Sequence, residues 1–221
     1  MKNHTSTLPN LLLSGFDAFG GESINPSWEA VRQLDGSVIV GHRIATVQLP
    51  TRFRDSIASL KRAIARTDPA LVLCVGQAGG RSQVGIERIA INVDDARIAD
   101  NAGHQPVDRP VVRGGPAAYF STLPIKAMLA AARRNGLPTE ISQTAGTFVC
   151  NHVFYGLMHL LRDTPDVRGG FVHIPFLPEQ AALHPGAPSL AQGTVVATLQ
   201  VLLEAALRTR RDRRIAAGAT H

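Results

Sequence analysis

Two stretches decide the fold: Leu11-Leu12-Leu13-Ser14-Gly15-Phe16 and Ala70-Leu71-Val72-Leu73-Cys74-Val75-Gly76. Each is a short, almost wholly apolar run that stops at or beside glycine, the pattern of a strand buried on both faces in a parallel sheet. Segments 41–49, 88–93, 139–144 and 170–176 are further strand candidates. Between them lie helical patterns. Asn25-Pro26 supplies a cap and a first-position proline for a helix running through Leu34. Phe53, Ile57, Leu60 and Ile64 mark one apolar face of a second helix, ended by Asp68-Pro69. Phe148, Val149, Val153, Phe154, Leu157, Leu160 and Leu161 trace a third, with Thr147 read as its N-cap, and 190–207 gives the last long one. Strands alternating with helices from end to end predict an α/β fold with parallel strands and crossover helices.

The chain has 221 residues, 44% of them hydrophobic and 18% charged, which fits one domain over 1–221, with a flexible leader at 1–10 and a basic tail at 208–221. Its 2 cysteines cannot build a disulfide scaffold. No apolar run approaches the roughly 20 residues of a membrane span, and the N-terminus lacks the apolar core of a secretory signal, so a reducing cytoplasm is expected. The net charge is +6, and five arginines and one aspartate between 208 and 214 account for +4 of it. No aromatic lies among those arginines, so the segment reads as a solvated helix end or frayed tail and not as a nucleic-acid surface. Residues 94–115, rich in Asp, Asn, Gly, Pro and Arg, form one long excursion of the length that tends to carry function.

Cys150 follows Thr147 by three residues, so its thiol falls in the first turn of a helix, where the dipole and free N–H groups favour a nucleophilic thiolate. A small buried core residue is the competing reading. Cys74, inside an apolar strand, is expected to be desolvated and inert. A thiolate attacking an amide needs an imidazole to hold and return a proton. Of 8 histidines, His4 and His221 lie near the ends, His42 sits in a strand beside Arg43, and His104 and His184 adjoin turn residues. His152 and His159 share a helix face, read as solvated because no third metal ligand is in register. His173, a polar residue inside Gly170-Phe171-Val172-His173-Ile174-Pro175-Phe176, is either a satisfied core histidine or an oriented base. Glu87, among alternating apolar residues, needs a partner: an imidazolium, Arg88 or another nearby arginine. Gln77-Ala78-Gly79-Gly80-Arg81 follows a strand like a phosphate loop but lacks the Lys-Ser/Thr of a P-loop.

Several stretches, in order, resemble the pyroglutamyl peptidase I family, also called pyrrolidone-carboxylate peptidases. They are Gly15-Phe16-Asp17-Ala18-Phe19-Gly20-Gly21, Ile24-Asn25-Pro26-Ser27-Trp28-Glu29, Val75-Gly76-Gln77-Ala78-Gly79-Gly80-Arg81, Ile86-Glu87-Arg88-Ile89-Ala90-Ile91-Asn92 and Asp94-Asp95-Ala96-Arg97. Ser142-Gln143-Thr144-Ala145-Gly146-Thr147-Phe148-Val149-Cys150-Asn151 and Val172-His173-Ile174-Pro175-Phe176 complete the set. The resemblance implies a three-layer α/β/α sandwich with a mostly parallel, twisted sheet, phosphorylase/hydrolase-like. It also implies a cytoplasmic cysteine exopeptidase without metal or cofactor, removing an N-terminal pyroglutamyl residue and assembling as a homo-oligomer, tetramer or dimer. The implied catalytic residues are Glu87, Cys150 and His173. Phe16, Phe19, Asn25, Thr51, Gln77, Ile98, Phe148 and Val149 are the implied substrate-binding residues, and Arg97 with the Cys150 backbone N–H is placed near the oxyanion. Gly85 stands where relatives are expected to carry a larger or hydroxylated residue. The rival readings are a nucleoside phosphorylase-like enzyme using residues 77–81, a non-catalytic binder of blocked peptide ends, and nucleic-acid binding through the tail.

Overall fold

The computed structural model describes residues 8–218. One seven-stranded sheet has the order β2-β3-β1-β4-β9-β5-β8. Its strands are β1 Asn10–Phe16, β2 Val38–Ile39, β3 His42–Leu49, β4 Pro69–Gln77, β5 Val84–Glu87, β8 Thr139–Ser142 and β9 Arg168–Ile174. β1 is parallel to β3 and β4, β4 to β9, and β5 to β8, while β2 on β3 and β5 on β9 are antiparallel. A separate two-stranded ribbon pairs β6 Ile89–Ile91 with β7 Ala118–Phe120. The helices are α1 Pro26–Val31, α2 Asp55–Thr67, α3 Ile125–Arg134, α4 Val149–Leu161, α5 Pro178–Ala181 and α6 Gln192–Arg208.

The two expected central strands are central. In β1, Leu11 and Leu13 pack with Val31, Met128 and Leu199 from α1, α3 and α6, while Leu12 and Phe16 pack with Leu60, Val153 and Leu157 from α2 and α4. Side chains alternate across a strand, so a run apolar at every position builds both outer layers at once. Asn25 caps α1 as its sequence suggests, its side chain accepting from the Ser27 N–H at 3.0 Å.

Several expectations need correction. The 88–93 strand shrinks to β6 and leaves the main sheet, because the backbone of Ile91 is satisfied by the Asn151 side chain instead of a sheet neighbour. β5 and α3 add to the expected elements and carry weak local signals: β5 is only four residues long with a glycine inside, and α3 is alanine-rich. The N-cap of α4 is Phe148 and not Thr147, whose hydroxyl donates to the Asp95 carbonyl at 2.7 Å. The leader ends earlier than expected: the Pro9 carbonyl accepts from the Arg43 N–H and Asn10 opens β1. His4 and His221 lie outside the described residues.

The tail after α6 is tethered, not frayed. Asp212 accepts from the Lys126 and Ala127 N–H groups at the start of α3, as a helix N-terminus favours. Arg168 donates to the Thr209 carbonyl and Arg88 to the Ala217 carbonyl. Among the described residues no helix is long and apolar enough to cross a membrane.

Candidate active site

The site is laid out by strand register. In β9, Phe171 faces α4 while Val172 and Ile174 face the opposite layer, so His173 stands on the α4 side. The same alternation puts Gly76 of β4 and Gly85 of β5 on that side, since Val75, Val84 and Ile86 face away. Both glycines are the register partners of His173, one on each flank. The imidazole therefore rises between two strands that offer no side chain beside it.

Each empty flank is filled from elsewhere. A Cβ on Gly76 would lie 2.8 Å from Cys150 Sγ and 2.8 Å from a Phe171 ring carbon, so the thiol occupies the place a side chain at 76 would take. The Phe171 and His173 rings are 4.9 Å apart, centre to centre. The site thus brings together a sulfur and an imidazole from α4 and β9. The third member comes from β5: Glu87 Oε1 lies 2.7 Å from His173 Nδ1. Glu87 is fully buried and His173 nearly so. A ring nitrogen facing a carboxylate carries the proton, which leaves Nε2 as the basic nitrogen. Arg81 Nη1 also donates to Glu87 Oε1, at 2.8 Å. Both partners considered for Glu87, an imidazole and an arginine, are present together, and the arginine is Arg81 rather than Arg88.

The thiol departs from the simple helix-terminus expectation. Burial pushes Cys150 up to about 12, the Glu87 charge pushes the same way, and Arg81 opposes them. Desolvation therefore works against the thiolate that a helix's first turn favours. Cys74 is likewise pushed up to about 12 by burial, with the nearby Ser14 hydroxyl pulling the other way. Among the described residues no side chain caps the start of α4, and the first intrahelical bond runs from the His152 N–H to the Phe148 carbonyl. The N–H groups of the first turn are therefore without helical acceptors, and a developing oxyanion is a suitable one.

Beside the thiol, aromatic rings make a wall. Phe148 lies 6.0 Å from Phe19 and 5.4 Å, edge-on, from Phe53. Phe16 and Val149 are buried in the core, Phe16 tilted against Phe171 at 6.3 Å. Thr51 is buried and held to Asp17 through its N–H and its hydroxyl. Asn25 gives its polar atoms to Ser27 and to the Asp17 carbonyl, and so shapes the loop carrying Phe19. Gln77 accepts from the buried Gln180 amide at 3.3 Å. Arg97 and Ile98 are exposed, on a loop bonded to the approach of α4 through the Asp95 N–H and the Thr147 carbonyl.

His152 does not lie on a solvated face. It is buried, with Nδ1 2.8 Å from Asp94 and Nε2 accepting from the Arg54 N–H at 3.0 Å. Asp100 meanwhile accepts from the Phe53 N–H at 2.8 Å. Together these side chains pin the turn that presents Phe53 to the pocket, a turn in which Arg54 has a φ of 66°. His159 is half-buried, with Nδ1 2.9 Å from the Tyr119 hydroxyl. Phe53, Arg81 and His152 are thus site-supporting residues that the sequence had assigned to a helix face, a weak phosphate loop and solvent. Arg81 is committed to Glu87 and to the Thr144 carbonyl, which removes the cation that a phosphate-loop reading needs.

Comparison with known proteins gives a consistent result. The family model described as pyroglutamyl peptidase matches residues 9–209. The pyrrolidone-carboxylate peptidase of Escherichia fergusonii is 58% identical over 214 residues, covering 97% of this chain and 100% of that one. Pyrrolidone-carboxylate peptidase 1 of Ralstonia nicotianae is 59% identical over 215 residues, with the same coverage. Among solved structures, pyroglutamyl peptidase I from Bacillus amyloliquefaciens superposes with a TM-score of 0.92 at 46% identity, over 95% of this chain and 100% of that one.

Proposed function

The chain belongs to the pyroglutamyl peptidase family, and from that premise we propose that Cys150, His173 and Glu87 carry out its cysteine-peptidase chemistry on N-terminal pyroglutamyl peptides. The observation that carries the assignment is the row across the sheet in which Cys150 Sγ stands over Gly76, beside His173, with His173 Nδ1 held by Glu87.

The substrate carbonyl carbon is attacked by Cys150 Sγ as the thiol proton passes to His173 Nε2. The imidazolium is then stabilised by Glu87, and the oxyanion by N–H groups of the first turn of α4. Arg97 is assigned to the same oxyanion. Collapse breaks the C–N bond, with His173 returning the proton to the leaving amine, and a thioester remains on Cys150. Water adds to the thioester as His173 takes its proton. The sulfur leaves, is reprotonated, and free pyroglutamate is released.

Phe16, Phe19, Thr51, Gln77, Ile98, Phe148 and Val149 are assigned to the lactam pocket, with Asn25 shaping its loop. Pyroglutamate has no α-ammonium, so an aromatic-walled slot holds it, whereas a free N-terminus would have to shed its hydration shell. Self-association is assigned to exposed apolar groups such as Phe120 and Val107. A reducing cytoplasm is the compartment that keeps the two thiols free. The test is hydrolysis of a pyroglutamyl-amide reporter beside its glutaminyl counterpart, which keeps the free amine. The pyroglutamyl compound should be cleaved at least about 100-fold more efficiently. Equal cleavage of the two would overturn the substrate assignment.

A further inference from the structure

Resting on that catalytic assignment, we propose that Arg81 is a positioning residue of the peptidase, holding Glu87 by the same oxygen that His173 uses and tying it to the loop that leads into α4. Nη1 meets Glu87 Oε1 at 2.8 Å and Nη2 donates to the Thr144 carbonyl at 3.0 Å. Thr144 lies between β8 and α4, six residues before Cys150, so one guanidinium bridges the carboxylate to the nucleophile's approach. Glu87 Oε2 is buried and has no hydrogen-bond partner among the described residues. Arginine and imidazole therefore share a single oxygen.

Gly85 makes this arrangement possible. A Cβ there would lie 2.5 Å from Arg81 Nη1. Glycine inside a buried strand weakens it unless something needs the space. Here the space is the guanidinium slot, as Gly76 on the opposite flank is the thiol slot. The charged and titratable groups closest to the Glu87–His173 pair are Arg81 from the loop before β5, bonded to Glu87, and Cys150 from α4, over the register partner of His173, with Arg97 on the exposed loop assigned to the oxyanion. Among the described residues Arg81 is the one permanent cation bonded to Glu87. A buried carboxylate paired only with imidazole draws a proton onto that imidazole. Arg81 gives the carboxylate a permanent counter-charge at the same oxygen the imidazole uses.

The experiment is the pH dependence of kcat/KM on the pyroglutamyl-amide reporter for the wild type, Arg81→Ala, Arg81→Lys and Gly85→Ala. Arg81→Ala should move the acid limb up by about one pH unit, which is about a tenfold loss below the limb and a smaller loss on the plateau. Arg81→Lys keeps the charge and should restore most of the limb position, though a single ammonium cannot bridge as a guanidinium does. Gly85→Ala should shift the limb the same way as Arg81→Ala. Its methyl displaces only the tip of a flexible side chain, so this variant decides the matter if Arg81→Ala fails to fold. A purely structural role would lower the rate by the same factor at every pH. That result, or acid limbs in Gly85→Ala and folded Arg81→Ala that stay where the wild type has its own, overturns the proposal. A wild type that leaves the reporter uncut would instead overturn the catalytic assignment beneath it.

Discussion

Cys150→Ala should lower kcat on the pyroglutamyl-amide reporter by roughly 10⁴-fold or more, because removing the nucleophile of a concerted set leaves only binding and oxyanion stabilisation. Cys74→Ala should keep most of the activity. The two thiols respond alike to burial, both pushed up to about 12, so their acidity does not separate them. Position does. Cys150 Sγ stands over Gly76, the register partner of His173, whereas Cys74 is fully buried inside the core. The check is steady-state kinetics on both variants together with their thermal unfolding. Cys74→Ala should lose about 1 kcal/mol or more of stability through its cavity, while Cys150→Ala should stay folded and inactive.

Glu87→Gln should reduce kcat by about 10²- to 10⁴-fold with little change in KM. Oε1 receives both His173 Nδ1 and Arg81 Nη1, and a neutral amide oxygen holds neither as firmly. The amide also fails to stabilise the imidazolium that forms as the thiol proton arrives, and that charge exists only after attack has begun. The loss therefore falls on kcat. Rate constants and KM measured on the reporter decide it: a drop of less than about tenfold would show that Glu87 is a structural ion-pair partner and little more.

The fold was legible where the sequence was monotonous. Leu11–Leu13 and Leu71–Val75 are apolar at every position, and a short run of that kind bounded by turn residues fits a strand covered on both faces. It was obscure where elements are short or satisfied at a distance. β5 is four residues long and pairs with both β8 and β9, and nothing local announces that Gly85 faces His173 across 88 positions of sequence. Cys150, His173 and Glu87 could be singled out individually, since a thiol in a helix's first turn and polar groups in apolar strands each demand an explanation.

Their supporting residues were harder to find. Arg81 looked like part of a glycine-rich loop, and its purpose appears only when Gly85 is seen to leave it room. His152 and His159 fall on one helix face by spacing, but spacing is silent about what that face meets. Asp94 and Tyr119, brought over from distant segments, bury and bond them. The same holds for Asp212, whose position in an arginine-rich tail gave no hint that it caps α3.

The most direct test of the account is to catch the acyl group on sulfur. An activated pyroglutamyl ester, for which acylation outruns hydrolysis, would be mixed with the enzyme and quenched in acid, and the chain mapped by mass spectrometry. One pyroglutamyl group per chain should appear on the peptide containing Cys150, labile to thiols and missing from Cys150→Ala. An acyl group on Cys74 or on any hydroxyl, or turnover of the ester with no acylated chain at all, would contradict it.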